Sequence, residues 1–278
     1  MSDDTDNTDD EVAKAVEYLT WALGRRKKEI DRDRFLTSLQ TAFFQGYKAN
    51  FFDYPTNSMP LHRGRTFDGH EVYEEVSDLW YPSAKFTQYN RASFPGESVF
   101  YCASGNATAL LELRPKVGQV ISMMTCTVTK PRVRIKLVAG EAYFNELGLS
   151  ARQLPFELLC NKAFRIVANR PFDYFVCSGL GSLLFKFTDL DGIYFPSVAT
   201  DLYGVNFALR PEIVDQFIRP VSFRAYLVRE VKSSFDFIVQ CVASAPEATK
   251  DDSIAWDELP SCPGHRVSLA VYDRPCSD

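Results

Sequence analysis

Arg91, Tyr101 and Glu112 stand ten and eleven residues apart, each in a stretch whose neighbours would hold it in place. Arg91 precedes the Pro95-Gly96 turn, Tyr101 lies in a short apolar strand, and Glu112 belongs to an apolar helical run. Farther along, Ser197 follows Pro196, and Asn206 lies in another short apolar stretch. Upstream, Arg63 and Arg65 are two residues apart, so a strand aims both at one face and sends His62 to the other, where a structural role is expected. These residue types do distinct jobs. An arginine fork grips phosphate bidentately. A tyrosine stacks on a ring and donates a hydrogen bond. A fixed carboxylate stabilises positive charge as it develops, and one such preorganised group is worth about 3–4 kcal/mol.

Other chemistries lack their parts. The chain has no G-x-x-x-x-G-K-[ST] loop, no G-x-G-x-x-G opening a strand–helix unit, no G-x-S-x-G elbow and no H-E-x-x-H. Seven cysteines, at 102, 126, 160, 177, 241, 262 and 276, form no C-x-x-C pair, and the three histidines are 62, 70 and 265, so no metal site is expected. The cysteines read as buried free thiols of a reducing compartment, Cys102 among them. Net charge is −5, and the Arg25-Arg26-Lys27-Lys28 run reads as a solvated helix face, so no nucleic-acid partner is expected. Six of the first eleven residues are acidic and no apolar run reaches the ~18 residues of a membrane span. A cytoplasmic protein without membrane contact is the expectation.

The elements that must position those residues alternate between strand and helix. Residues 1–10 read as a disordered acidic tail and 11–58 as a helical extension, with apolar residues at Val12, Val16, Leu19, Leu23 and at Phe35, Leu36, Leu39, Phe43, Phe44. Asp53–Pro60 breaks the pattern. Strands are expected at 61–67, 99–102, 120–129, 133–138, 192–195 and 205–209. Helices are expected at 71–79, 107–113 and 180–187, with a helix or loop at 143–149 and at 151–167. Strands at 223–228, 235–242 and 265–272 make a β-rich extension, 216–278, that either adds to the sheet edge or binds a partner. The fold class is α/β or α+β.

The ordered segments resemble the RES domain family. Leu61-His-Arg-Gly-Arg65 resembles its opening strand, and Asn90-Arg-Ala-Ser93 its Gly-Arg-x-Asn turn. Thr108-Ala-Leu-Leu-Glu112 matches its Thr-Ala-x-x-Glu helix, and Asp191-Gly-Ile-Tyr-Phe-Pro-Ser197 with Gly204-Val-Asn206 its closing segment. The resemblance places the catalytic domain at 59–215 and implies a mixed-sheet core similar to that of ADP-ribosyltransferases. It implies NAD as substrate, cleaved at the nicotinamide–ribose bond by phosphorolysis or hydrolysis, with inorganic phosphate as a candidate co-substrate and no resident cofactor. It also implies a toxin with a cognate antitoxin, and the extensions are candidates for dimerisation or inhibitor binding.

Under this resemblance Glu112 faces the ribosyl carbon, Arg91 with Arg63 or Arg65 holds the pyrophosphate, and Tyr101 stacks on a base. Ser197 orients the nicotinamide amide or the incoming nucleophile, and Asn206 joins the substrate contacts. Arg114 is a candidate surface partner for Glu112. Two positions depart from the pattern: Asn90 replaces the glycine and Ser93 the asparagine. They keep a non-catalytic NAD-binding module open as one alternative; the same pocket with another acceptor makes an ADP-ribosyltransferase acting on a macromolecule the other.

Overall fold

The computed structural model describes residues 3–23, 25–47, 51–56, 60–68, 71–138, 148–150, 153–167, 171–259 and 263–268. In chain order the elements are α1 (Asp3–Ala22), α2 (Arg32–Gly46), β1 (Phe52–Pro55), β2 (Leu61–Phe67), α3 (Val76–Leu79), β3 (Phe100–Ala103), α4 (Asn106–Leu113), β4 (Val120–Val128) and β5 (Arg132–Leu137). There follow α5 (Gln153–Phe164), α6 (Phe175–Phe187), β6 (Gly192–Pro196), β7 (Val205–Leu209), α7 (Pro211–Phe217), β8 (Ile218–Ser233), β9 (Asp236–Ala245), β10 (Asp257–Glu258) and β11 (His265–Ser268). The fold is mixed α+β with a large, mostly antiparallel sheet. The chain forms two compact units, each assembled from separated segments: 1–53, 83–99 and 134–196 in one, 54–82, 100–133 and 197–278 in the other.

The first unit is mainly helical. α1 buries Val12, Ala15, Val16, Leu19 and Ala22, and α2 buries Phe35, Leu39, Ala42 and Phe43, at the spacing that puts them on one stripe. Asp31 caps α2 by accepting from the Arg34 amide at 2.8 Å. α1 begins at Asp3, inside the segment expected to be disordered. α5 and α6 pack beside them, and β5 pairs with β6 in parallel. Between α5 and β5 lies a buried ion pair, Lys136 to Glu157 at 2.5 Å, both under 5% exposed, with the Tyr47 ring 5.6 Å from the ammonium. α6 carries Gly181 because a methyl group there would lie 2.2 Å from the Ala92 carbonyl oxygen.

The second unit is a twisted antiparallel sheet in the order β7-β3-β2-β4-β8-β9-β10, with β11 sharing the outer edge of β9. The C-terminal strands therefore extend this sheet at its edge, one of the two roles expected for them. α4 covers one face. Leu110, Leu111, Ile121, Met123, Tyr226, Phe237 and Val239 form the core beneath it. α3 lies over the opposite face, where Val120, Ala225 and Leu227 pack with Val72 and Trp256. Three local expectations change. The break at 53–60 contains β1, the helix expected at 71–79 shrinks to Val76–Leu79, and the expectation for 143–149 falls largely outside the described residues. Glu71–Glu74 is irregular instead, and Glu75 is extended and bridges Ser253; the Tyr73 amide on Ser122 Oγ and Trp256 Nε1 on the Tyr73 carbonyl hold the segment to the sheet.

Candidate active site

β2 and β3 are paired at a single rung, His62 opposite Ala103. Around that rung lies a cavity of about 160 Å³, bordered by His62, Arg63 and Gly64 of β2, Tyr101 and Ala103 of β3, and Glu112 of α4. Asn206 of β7 closes it on the side opposite β2. Register explains which side chains meet there. Asn206 pairs with Ala103, Ala103 with His62, and His62 with Thr125 of β4, so these four point to one face. Gly64 and Met123, also paired, point the same way, and a methyl on Gly64 would lie 2.9 Å from Leu113 of α4. This is therefore the face α4 covers, and Gly64 lets the helix come close.

Glu112 is anchored rather than exposed. Its Oε1 accepts from Ser197 Oγ and from Asn206 Nδ2, both at 2.6 Å. Both donors are fully buried, and Ser197 does not border the cavity. The donation from Nδ2 fixes the Asn206 amide orientation, since a flipped amide would set oxygen against carboxylate. Asn206 Oδ1 then stays buried without a hydrogen-bond partner, and Glu112 Oε2 has no donor among the described residues. Arg114 does not pair with Glu112. It takes a left-handed backbone at the end of α4 and stacks over Phe235 at 5.1 Å.

The segment that delivers Ser197 and Asn206 is a closed loop. Ser197 N–H donates to the Gly204 carbonyl at 2.7 Å, Leu202 N–H donates to the Ser197 carbonyl, and Gly204 N–H donates to Thr200 Oγ1. Asp201 and Leu202 adopt positive φ to make the turn. A methyl on Gly204 would come within 2.4 Å of Thr108 of α4, so the glycine lets the loop lie against the helix that carries Glu112.

The arginines go elsewhere. Arg63 points to the α3 face, where Nε donates to the Leu79 carbonyl at 2.8 Å and Nη2 to that of Trp80 at 3.1 Å. Its Nη1 donates to the Tyr101 carbonyl at 2.7 Å and so bridges β2 and β3 where the backbone ladder is missing. The guanidinium stacks on Phe100, and Arg63 is among the residues that border the cavity. Burial, then the neighbouring Arg65 charge, lowers its pKa to about 10, still a cation at neutral pH. Arg65 donates to the Asp78 carbonyl and stacks on Tyr73, and does not border the cavity. The expectation that both arginines face the pocket and His62 faces away is thus inverted. Alternation set the two faces correctly, but nothing local said which face α4 would cover. Gly64, a small residue between two arginines, was the available sign of a close helix.

Arg91 lies in the other unit and is buried. Its Nη1 donates to the carbonyls of Phe164 and Ile166 at 2.9 and 2.8 Å, and it stacks over Tyr174. Those bonds tie its turn to the end of α5. The two residues that depart from the family pattern form that turn together: Asn90 Oδ1 accepts from the amides of Ala92 and Ser93, and Nδ2 donates to Ser93 Oγ.

Cys102 is a buried thiol, and burial raises its pKa far above the ordinary thiol value; Cys126, Cys160 and Cys177 are likewise buried, with their pKa values raised by burial. The described residues contain no cluster of metal-ligating side chains, and no described helix is long and apolar enough to cross a membrane.

Fold and site together define an α+β protein that holds one helix-borne acid over a seam in an antiparallel sheet. The chain belongs to the RES domain family, whose model matches residues 62–228. That family is linked to NAD-related toxin function. The same comparison against curated proteins finds no match.

Proposed function

We propose that this protein cleaves NAD at the nicotinamide–ribose bond. The observation that carries the reading is Glu112, held through one oxygen by two buried donors and bordering a small cavity beside an unsatisfied Asn206 oxygen. The cavity is smaller than the ~300–1,000 Å³ usual for small-molecule sites, which suits one end of a dinucleotide rather than the whole.

Nicotinamide leaves with the electron pair of the C–N bond, which neutralises its pyridinium nitrogen, so its departure needs no acid. Positive charge grows on the ribosyl carbon and its ring oxygen. The Glu112 carboxylate opposes that charge, and Ser197 and Asn206 hold it in place so that it need not reorganise. Asn206 Oδ1 accepts from a substrate hydroxyl or carboxamide N–H, and Tyr101 offers a ring for stacking. Phosphate or water then supplies the oxygen that bonds the carbon; water also gives up a proton to solvent.

Purified protein incubated with NAD, with and without phosphate, tests this. Nicotinamide release is expected; phosphate dependence marks phosphorolysis. Radiolabel from NAD appearing on a macromolecule would instead favour ADP-ribosyl transfer, and binding without release a non-catalytic module.

A further inference from the structure

Beside the Glu112 cavity, on the same face of the sheet, lies a larger one of about 720 Å³ that the reading so far leaves empty. Asn106 at the start of α4, Ser222, Arg224 and Tyr226 of β8, and His265 of β11 border it. Ser222 pairs with Thr125, which pairs with His62, and Arg224 pairs with Met123, which pairs with Gly64. The two cavities therefore lie on neighbouring rungs, and β8 is two strand spacings from β2, about 10 Å. We infer that this second cavity is an anion subsite in which Arg224 and His265 bind phosphoryl oxygens of the molecule whose ribosyl end occupies the Glu112 cavity.

Several observations converge on that assignment. Arg224 is exposed and has no carboxylate partner among the described residues, whereas the exposed Arg266 has Asp236 and the half-buried Arg134 has Asp189. Tyr226, two residues along β8 and so on the same face, also borders the cavity, and its hydroxyl accepts from Asn106 Nδ2 at 3.4 Å. The His265 ring meets the Tyr226 ring edge-on at 5.7 Å and borders the same cavity as Arg224. The Arg224 charge reaches both histidines: after burial it is the second cause that lowers the pKa values of His265 and His62. His62 borders the first cavity, so the field of Arg224 spans the path between the two. The bordering carboxylate is Asp257, exposed on β10. A guanidinium fork is suited to phosphate, and Arg63, Arg65 and Arg91 are committed to backbone carbonyls.

This inference rests on the NAD reading for the identity of the anion, so the test separates the two. Nicotinamide riboside has the same scissile bond and no phosphate. Arg224→Ala is expected to lower the preference for NAD over nicotinamide riboside, as the ratio of kcat/KM values, by ten- to hundredfold, with Arg224→Lys in between. An unchanged ratio overturns the subsite. Loss of phosphate activation with an unchanged KM for NAD also overturns it, because the anion held there would then be the free phosphate co-substrate and not part of NAD. Should the wild-type protein release no nicotinamide at all, the NAD reading fails, and binding decides the subsite alone. Pyrophosphate and inorganic phosphate are titrated separately while the imidazole resonances are followed. Shifts at His265 that vanish in Arg224→Ala support the subsite, and no shift with either anion overturns it.

Discussion

Replacing Glu112 by glutamine isolates the charge on which the proposed chemistry depends. In the native protein Oε1 accepts two hydrogen bonds at 2.6 Å, while Oε2 has no donor among the described residues. The glutamine carbonyl can keep both bonds, and its NH2 group takes the Oε2 position without meeting another donor. Both bonds pass from charge-assisted to neutral, a loss of about 1 kcal/mol each, so the protein stays folded. Glu112→Ala is a poorer probe, because it strands two buried donors at about 1–3 kcal/mol apiece. Removing the negative charge from beside a developing cation costs about 3–4 kcal/mol of transition-state stabilisation, a fall in kcat of roughly two to three orders of magnitude. Steady-state nicotinamide release, read alongside thermal unfolding, measures both consequences. A Glu112→Gln protein that melts near the wild-type temperature and keeps kcat within threefold would refute the electrostatic role.

Three further outcomes follow from the packing. Arg63→Lys keeps at most one of three carbonyl bonds that join β2, β3 and α3, so stability should fall by about 3 kcal/mol in urea unfolding; no change would show that the strut is dispensable. Gly181→Ala, a change that would stabilise an exposed helix by about 1 kcal/mol, should here destabilise by about 1–3 kcal/mol or more and lower Tm, because the methyl meets the Ala92 carbonyl. Lys136→Met leaves the Glu157 carboxylate buried and unpaired, at about 3–5 kcal/mol, and Lys136→Met with Glu157→Leu should recover most of that loss in the same unfolding assay. Equal stability of the single and double variants would count against a coupled pair.

Much of the scaffold was legible in the chain itself. The strand expected at 61–67 forms as β2 (Leu61–Phe67), and the helix that carries Glu112 begins one residue before the expected Ala107. Period-two and helical patterns report how each segment meets water, a local property. The acidic start misled because a polar run can be a free tail or a helix start, and composition does not distinguish them. The grouping of Glu112, Ser197 and Asn206 was foreshadowed by family resemblance, yet its form was not. Ser197 supports the acid from behind rather than touching the cavity.

The sequence alone set most of the elements, though not β1, α7 or β10, and it set the two faces of β2. Which face of β2 borders the cavity was decided only when α4 settled over Gly64, and that choice sent Arg63 and Arg65 to brace α3 and brought His62 to the cavity. The reason is physical: alternation fixes which residues share a side, but the partner that covers that side comes from another part of the chain. Tertiary packing also placed Arg224 two strands from the acid, through a register that no local pattern encodes.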